Sequence, residues 1–265
     1  MSIQITVPIY NALEATSHCL QALRTHNAND QVVLINDAST DHRIDGLLTD
    51  LPGKWQVIQQ TQNAGFVKTA NRGLSMSEGH SILLNADAVV THGWLDCFER
   101  VIKQVENLGT ATPWSNNAEI CSLPKNLTSN PIPNNPDTVA KALTQHQPEY
   151  PEIPTAVGFC MLITAEAKAQ VGYFDEDTFG LGYGEENDYS LRVKQQGLRN
   201  VLVDDCYVVH WGNQSFGEKG LKPDEQTMSR LLGKHPDYLQ TIQKFIEKDP
   251  LSQLRTTIID KISTF

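Results

Sequence analysis

The sequence predicts an α/β fold in which a mostly parallel central sheet is flanked by helices and followed by a helical C-terminal extension. Strand-like and helix-like segments alternate through the first third of the 265-residue chain, as is typical of βαβ units. The strand-like segments are continuously apolar, for example at 32–35, and such strands suit a sheet that is covered on both faces. After residue 220 the pattern is helical to the end of the chain.

Individual elements can be placed in the first 105 residues. Runs of apolar and β-branched residues predict the strands, and apolar side chains spaced three or four residues apart predict the helices. The predicted strands are 3–8, 32–35, 55–58 and 82–84, and the predicted helices are 11–23, 65–77 and 94–105.

A proline-rich stretch interrupts this pattern over residues 113–155. A connection of this length is usually a lid or a binding loop, and a solvent-exposed insertion without a role is the alternative. We predict one short helix within it, around 137–146. Regular structure then resumes with strands at 157–164, 200–203 and 207–210, helices at 166–171 and 186–196, and tail helices that begin near Pro223, Pro236 and Pro250.

The composition narrows the class of protein. The formal net charge of −10 argues against a general nucleic-acid binder, because neutralising phosphates requires a basic surface. No apolar run approaches the about 18–20 residues that a membrane span needs. Half of the net charge lies in 175–205, where eight acidic residues accompany three basic ones. This window is either a solvated acidic face or a set of functional carboxylates.

The cysteines and the N-terminus favour a cytoplasmic protein. The five cysteines are widely spaced and include no C-x-x-C pair, which indicates reduced thiols rather than a disulfide frame or a zinc site. The first residues have neither the basic segment nor the long apolar segment of a secretory signal.

Polar residues follow the first two predicted strands. Pro8, Tyr10 and Asn11 come after the first strand, and Asp37 comes after the second. Ligands of open parallel sheets bind beyond the carboxyl ends of the strands, so Asp37 could accept hydrogen bonds from a base and Tyr10 could stack on it. Turn and N-cap chemistry is the alternative explanation of the polar run that contains Asp37.

A second motif opens the predicted helix 65–77. Asn63 and Gly65 precede a helix N-terminus, which favours an anionic ligand. Lys68 and Arg72 lie one helical turn apart and face either a phosphate or water. The segment lacks G-x-G-x-x-G spacing, so it does not support a dehydrogenase-type dinucleotide site.

Two further positions are candidate cation ligands. Asn85 and Asp87 follow the fourth strand, and Mg²⁺ is commonly held by one or two carboxylates together with substrate phosphates. His210 ends the last predicted strand, and imidazole suits Mn²⁺ and similar metals. A structural histidine is the alternative at that position.

Acidic residues open the helix that follows the glycine-rich loop 179–184. Glu185, Glu186 and Asp188 exceed what a helix cap requires, and closely spaced carboxylates raise one pKa towards the value of a general base. Capping combined with solubility is the alternative explanation.

The order of these motifs resembles that of the family 2 glycosyltransferases with a GT-A (Rossmann-like) fold. The matching motifs are V-P-I-Y-N, I-N-D-A-S-T-D, N-A-G-F-V-K-T-A-N-R-G, L-L-N-A-D-A, G-Y-G-E-E-N-D-Y-S-L-R and V-V-H-W, within residues 3–216. The resemblance implies an inverting transfer of a sugar from a nucleoside-diphosphate donor, assisted by Mn²⁺ or Mg²⁺.

The resemblance also assigns residues. Asp87 matches the last acid of the family's D-x-D metal motif, and Asn85 stands where the first acid would be, which gives His210 more weight as a ligand. Glu186 matches the catalytic base, with Asp188 in reserve and Glu185 binding acceptor hydroxyls. The donor-binding set is Pro8, Tyr10, Asn11, Asp37, Asn63, Gly65, Lys68 and Asn85.

The implied partners are a donor and an acceptor. Asp37 suits uracil or thymine, which favours UDP or dTDP donors, although guanine is not excluded. Acceptors typical of the family are glycans or lipid-linked saccharides, which suggests a cytoplasmic enzyme working peripherally at the inner face of a membrane. The implied domain is 1–220, with a nucleotide-binding half at 1–115 and an acceptor-side half at 116–220, and 221–265 is the extension.

Two other functions compete with this interpretation. A sugar-nucleotide nucleotidyltransferase would carry a glycine-rich, basic loop after the first strand, and residues 10–14 are not such a loop. A non-catalytic nucleotide-sugar-binding module is favoured by Asn85. Retention of Asp87, Glu186 and His210 argues against that module.

Overall fold

The computed structural model describes residues 2–180, 182–212 and 225–262. The strands are β1 (Ile3–Ile9), β2 (Gln31–Asn36), β3 (Trp55–Gln59), β4 (His80–Leu84), β5 (Ala88–Val90), β6 (Leu108–Trp114), β7 (Cys160–Ile163) and β8 (Arg199–His210). The helices are α1 (Leu13–Asn27), α2 (Arg43–Leu47), α3 (Phe66–Leu74), α4 (Trp94–Gln104), α5 (Pro136–Leu143), α6 (Ala165–Val171), α7 (Glu176–Phe179), α8 (Glu185–Gln195), α9 (Glu225–Lys234), α10 (Tyr238–Lys248) and α11 (Ser252–Lys261).

The strands form one sheet in the order β3-β2-β1-β4-β7-β6-β8-β5. The first four strands of this order are parallel, and so are β6 and β8, whereas β7 and β5 run antiparallel to their neighbours. The register pairs Ile9 with Asn36, and the Asp37 N–H extends this pairing by donating to the Ile9 carbonyl at 2.8 Å. The polar residues that follow β1 and β2 therefore meet at one edge of the sheet.

The sheet is covered on both faces. Because side chains alternate along a strand, Ile5 of β1 packs in one apolar cluster with Leu20 of α1 and Phe98 of α4. Gln4 points to the opposite face, where its amide donates to the carbonyl of Gly73 in α3 at 2.8 Å. A second apolar cluster on that face joins α3, α6, α8 and α9. The predicted α/β fold with a mostly parallel sheet is confirmed.

The elements predicted in the first 105 residues are all present, with ends shifted by a few residues. The helix predicted around 137–146 is α5, whose N-cap Asn135 accepts a hydrogen bond from the Thr138 N–H at 3.2 Å. The strand predicted at 157–164 begins only at Cys160.

The prediction of two separate strands at 200–203 and 207–210 was wrong. These residues belong to a single strand, β8, which continues through Asp204 and Asp205, and both carboxylates have partners. The Asp204 carboxylate accepts the Glu149 and Tyr150 N–H groups at 3.0 and 3.1 Å, and Asp205 pairs with Arg100 at 2.7 Å. The sequence also gave no prediction of β6 or β5.

The C-terminal helices share the apolar clusters of the sheet. Leu231 of α9 packs with α8, and Ile258 of α11 lies in the cluster that contains α5. The predicted boundary at 220–221 and the helix start near Pro223 lie outside the described residues. Within the described ranges, none of the helices combines the length and apolar character needed to cross a membrane.

Candidate active site

A cavity of about 540 Å³ lies beyond the carboxyl ends of β1, β2 and β4. It brings together most of the residues predicted from the sequence. Those that line it are Pro8, Tyr10, Asp37, Asn63, Gly65, Asn85, Asp87, Glu185, Glu186 and His210. Three other predicted residues, Asn11, Lys68 and Asp188, are not among its lining residues.

The Asp37 carboxylate organises the segment that opens α3. One oxygen accepts the Gln60 side-chain amide and the Ala64 N–H, each at 2.7 Å. The other accepts the Asn63 side-chain amide at 3.1 Å and the Gly65 N–H at 3.0 Å. Asp37 is therefore buried and multiply hydrogen-bonded, and it holds the predicted anion-binding segment against β2.

Asn11 clamps the loops that follow β1 and β2. Its side-chain oxygen accepts the N–H groups of Thr40 and Asp41 at 2.9 and 3.1 Å, and its own N–H donates to Ser39 at 2.9 Å. In this structure Asn11 shapes the rim of the cavity from outside. Lys68 also lies outside and lines a separate surface depression with Arg72.

Asp87 and His210 face each other at a second edge of the cavity. β5 and β8 pair Ala88 with His210, and this pairing brings the imidazole Nε2 to 3.5 Å from the Asp87 Oδ1. The His210 Nδ1 lies 2.6 Å from the Asn117 carbonyl, and the ring stacks on Phe159 with centroids 4.9 Å apart. A carbonyl accepts only a protonated Nδ1, so Nε2 presents its lone pair towards Asp87 when the ring is neutral.

The protonation of His210 reflects two opposing effects. Burial disfavours the imidazolium, but the hydrogen bond and the charge of Asp87 outweigh burial and raise the pKa of His210. When its imidazole is protonated, His210 can form an ion pair with Asp87 across the 3.5 Å that separates Nε2 from Oδ1.

This edge fits a divalent cation. The side-chain oxygen of Asn85 is buried and has no hydrogen-bond partner among the described residues. An amide oxygen, a carboxylate and an imidazole together are suitable ligands, and the carbonyl bond at His210 Nδ1 is the support that metal-binding histidines usually have. No group of three or more His, Cys, Asp or Glu side chains able to hold a metal occurs among the described residues, so phosphate oxygens would have to complete the coordination.

Two acidic residues at the start of α8 form the opposite wall. Gly184 caps this helix with a φ of 90°, a conformation that favours glycine. Glu185 is buried, one of its oxygens has no partner among the described residues, and burial together with the charge of Glu186 raises its pKa well above the usual value. Burial therefore favours the neutral acid form of Glu185.

Glu186 is half-buried beside Gly158, where an added Cβ would lie 3.6 Å from the Glu186 Cγ. Burial, with a smaller contribution from the charge of Glu119, raises the pKa of Glu186 to about 7. The Asn187 amide donates to its carboxylate at 3.2 Å. A carboxylate with this pKa suits general base catalysis near neutral pH.

Asp188 points away from the cavity and joins two helices. Its fully buried carboxylate contacts Arg192 at 2.8 Å, Lys234 at 2.6 Å and His235 at 2.9 Å. Burial alone would raise the pKa of Asp188, but its bonds to Lys234, His235 and Arg192 lower it below the usual value. The structure thus gives Asp188 a place in the link between α8 and the C-terminal segment.

Several lining residues were not predicted. Asn117 and Glu119 come from the proline-rich stretch, and Met228, Leu231 and Tyr238 come from the C-terminal helices. Tyr238 lies near both acidic side chains, because burial and the charges of Glu186 and Glu119 raise its pKa to about 12. No motif marks these positions, and only their packing brings them to the cavity.

The architecture is that of the GT-A glycosyltransferases. The family model for glycosyl transferase family 2 matches residues 4–171. The chain belongs to this family. No curated protein matches the chain by sequence.

Solved structures agree on the fold. GalNAc-T7 with UDP, GalNAc and Mn²⁺ is 13% identical with a TM-score of 0.66, and the match covers 98% of this chain and 54% of that one. The mannosyltransferase PcManGT of Pyrobaculum calidifontis, with GDP-Man and Mn²⁺, is 15% identical with a TM-score of 0.57, covering 89% and 69%. S. aureus TarS 1-349 is 16% identical with a TM-score of 0.57, covering 98% and 88%. The chain thus spans about half the length of GalNAc-T7.

Proposed function

We propose that the protein transfers a sugar from a nucleoside-diphosphate donor to a hydroxyl group of a glycan or lipid-linked saccharide, with inversion at the anomeric carbon. One observation carries this proposal: Asp87 and His210 line the same cavity as Glu186, whose pKa is raised to about 7. A cation-binding edge and a poised base on one cavity are the two groups that such a displacement requires.

The donor would lie with its nucleoside beside Pro8 and Tyr10 and its diphosphate towards Asp87. The loop 63–65, fixed by Asp37, borders this space. GalNAc-T7 was solved with UDP and PcManGT with GDP-Man, which supports a nucleotide-sugar donor. We favour UDP or dTDP from the family resemblance, in which Asp37 matches a nucleoside-binding position. Both Asp37 oxygens already accept hydrogen bonds within the protein, so Asp37 would act through the loop 63–65 that it holds.

Asp87, His210 and Asn85 would hold the divalent cation, Mn²⁺ or Mg²⁺. When bound, the cation would supply Lewis-acid neutralisation of the charge on the leaving diphosphate. The Mn²⁺ in the structures of GalNAc-T7 and PcManGT supports this assignment.

Glu186 would act as the base. Its carboxylate takes the proton of the acceptor hydroxyl as that oxygen attacks the anomeric carbon from the face opposite the diphosphate. The new oxygen–carbon bond forms while the bond from carbon to the diphosphate oxygen breaks, and the configuration inverts. In its neutral acid form, which burial favours, Glu185 could both donate a hydrogen bond to and accept one from an acceptor hydroxyl.

We assign residues 1–220 to the catalytic unit and 221–265 to an extension that completes the cavity wall. The proposed acceptors place the enzyme at the inner face of a membrane as a peripheral protein. Among the described residues, Met228, Leu231 and Tyr238 of the extension line the cavity, which supports a role for it in acceptor binding.

Donor hydrolysis tests the proposal. We expect Mn²⁺-dependent release of free nucleotide from at least one member of a panel of UDP-, dTDP- and GDP-sugars. Glu186→Gln should reduce sugar transfer, and Asp177→Asn, an exposed carboxylate on α7, is the control that should not. Tight donor binding without any turnover would instead identify a non-catalytic binding module.

A further inference from the structure

The wall of the cavity opposite the donor side has a distinct composition. The donor side is defined by Tyr10, Asp37 and loop 63–65, and the cation edge by Asp87 and His210. The remaining wall is formed by the short helical turn at Glu119, the start of α8, and helices α9 and α10. This surface, here called the acceptor wall, consists of Glu119, Tyr183, Glu185, Glu186, Met228, Leu231 and Tyr238.

The acceptor wall carries acidic groups without basic ones. Glu119, Glu186 and Tyr238 line the same cavity, and the charges of the two carboxylates contribute to the raised pKa of Tyr238. Among the described residues that line the cavity, none is a lysine or an arginine. A second anion placed here would meet the carboxylates of Glu119 and Glu186, and the described lining residues offer no lysine or arginine to offset them.

The same wall offers groups that bind neutral, hydroxyl-rich molecules. Tyr183 and Tyr238 are partly exposed, so their rings can contact the apolar C–H face of a sugar ring. Glu185 lines the cavity, and one of its buried carboxyl oxygens has no hydrogen-bond partner among the described residues. A sugar hydroxyl that reached this oxygen would satisfy an otherwise costly orphan group.

We propose that the acceptor is an uncharged saccharide bound between Tyr183 and Tyr238, and that the acceptor wall rejects sugars carrying a carboxylate or a phosphate near the reacting hydroxyl. This inference rests on the proposed glycosyl transfer and specifies its substrate class. The position of Tyr238 makes the C-terminal segment part of that selection.

The test uses the full chain, Mn²⁺ and the donor that the hydrolysis panel selects. Matched pairs of aryl glycosides would be compared as acceptors: glucoside with glucuronide, and galactoside and N-acetylglucosaminide with their 6-phosphates. We expect transfer to at least one neutral member, with kcat/KM at least tenfold above that of its anionic counterpart.

Two substitutions probe the wall itself. Glu119→Gln should lower the ratio of kcat/KM for neutral acceptors to kcat/KM for anionic acceptors several-fold. Glu119→Asp, which keeps the charge, should retain this ratio. Tyr238→Ala should raise the acceptor KM at least tenfold with a much smaller change in the donor KM, and Tyr238→Phe should keep most of the affinity because the ring remains. A purely structural defect would raise the donor KM as well as the acceptor KM, and it would appear in Tyr238→Phe as well as in Tyr238→Ala.

Equal or better transfer to anionic acceptors, or no transfer to any neutral acceptor, would overturn this inference. Donor hydrolysis would in that case still support the proposed glycosyl transfer. Absence of donor hydrolysis with every nucleotide sugar would overturn the proposed function as well. Preference for amino sugars over their N-acetylated forms would show that the wall selects cations, which also contradicts the proposal.

Discussion

At the scale of single residues, the raised pKa of Glu186 suits its proposed role as the base and lowers the stability of the fold near neutral pH. Its pKa of about 7, raised by burial, lies well above the usual 4.5. Because the pKa of Glu186 is higher in the folded than in the unfolded protein, ionisation of this side chain lowers the free energy of unfolding progressively as the pH rises from about 4.5 to about 7. Glu186, the proposed base, is therefore ionised at the expense of folding free energy, as would be expected of a catalytic group.

We predict that kcat/KM rises with pH through an apparent pKa near 7 and that Glu186→Gln lowers transfer at least a hundredfold, the range typical of a lost general base. The same variant should be more stable than wild type at pH 8 by about 1 kcal/mol, a figure reduced for the partial exposure of the side chain, and equally stable at pH 4. Initial rates and thermal unfolding at both pH values measure this. A variant that kept wild-type transfer, or lost stability at pH 8, would refute the assignment.

The sequence predicted the location of the site residues better than their contacts. Residue type and position at a strand end were enough to predict which side chains lie near the cavity, but not which groups they bind. Asp37 and Asp87 reach the cavity because parallel strands end at one edge. Asn11 has the same sequence context, but a positive φ of 53° directs its amide into the neighbouring loop. The hydrogen-bond partners of a loop residue depend on a second loop, here 39–41, which short-range patterns do not specify.

At the scale of elements, α8 is the part on which the site depends. Its first turn supplies Glu185 and Glu186 to the cavity and also presents Asp188 to Lys234 and His235. The Arg230 guanidinium adds a bond of 3.3 Å to the Thr178 carbonyl in α7. These contacts connect the start of α8, which carries the proposed base, to the C-terminal segment.

Asp188→Asn should cost about 3 kcal/mol of unfolding free energy, because it leaves Arg192, Lys234 and His235 without their buried anion. Asp175→Asn is the matched control, since Asp175 contacts the same lysine at 2.8 Å from a partly exposed position, and it should cost under about 1 kcal/mol. Denaturant titration gives both values. Equal losses of unfolding free energy for the two variants would show that the buried contacts of Asp188 add no more stability than the partly exposed contact of Asp175.

The elements missed from the sequence have a common physical cause. β6 contains Gly109, Pro113 and two threonines rather than an apolar run, and it is a strand because β7 and β8 pair with it on both sides. β8 looked interrupted at its acidic pair, whose carboxylates are satisfied by distant groups such as Arg100. Where tertiary partners decide, local propensity is a weak guide.

At the scale of the whole molecule, the acidic window 175–205 resolves into separate roles. Asp188, Asp204 and Asp205 are buried and partnered within the fold, while Glu185 and Glu186 line the cavity. The chain still carries a net charge of −10, and no lysine or arginine among the described residues lines the cavity. A diphosphate entering this field needs a counter-charge from outside the described lining residues.

We therefore predict that nucleotide and cation stabilise the protein only together. UDP at about 100 times its Kd should add about 2.7 kcal/mol with Mn²⁺ present, which corresponds to a rise in Tm of about 5–10 °C for a chain of this size. UDP with a chelator, or Mn²⁺ alone, should shift the Tm by less than a third of that. dTDP and GDP run in parallel would rank the bases.

Variants separate the proposed site from the rest of this acidic surface. Asp87→Ala should abolish the joint shift, because it removes the carboxylate that faces His210, whereas Asp177→Asn should preserve it. If UDP stabilised the protein equally with a chelator, the diphosphate would be held by protein groups alone. If Asp87→Ala kept the full rise in Tm with UDP and Mn²⁺, the cation would bind elsewhere. This result would refute Asp87, His210 and Asn85 as its ligands, and it would leave the assignment of Glu186 as the base unaffected.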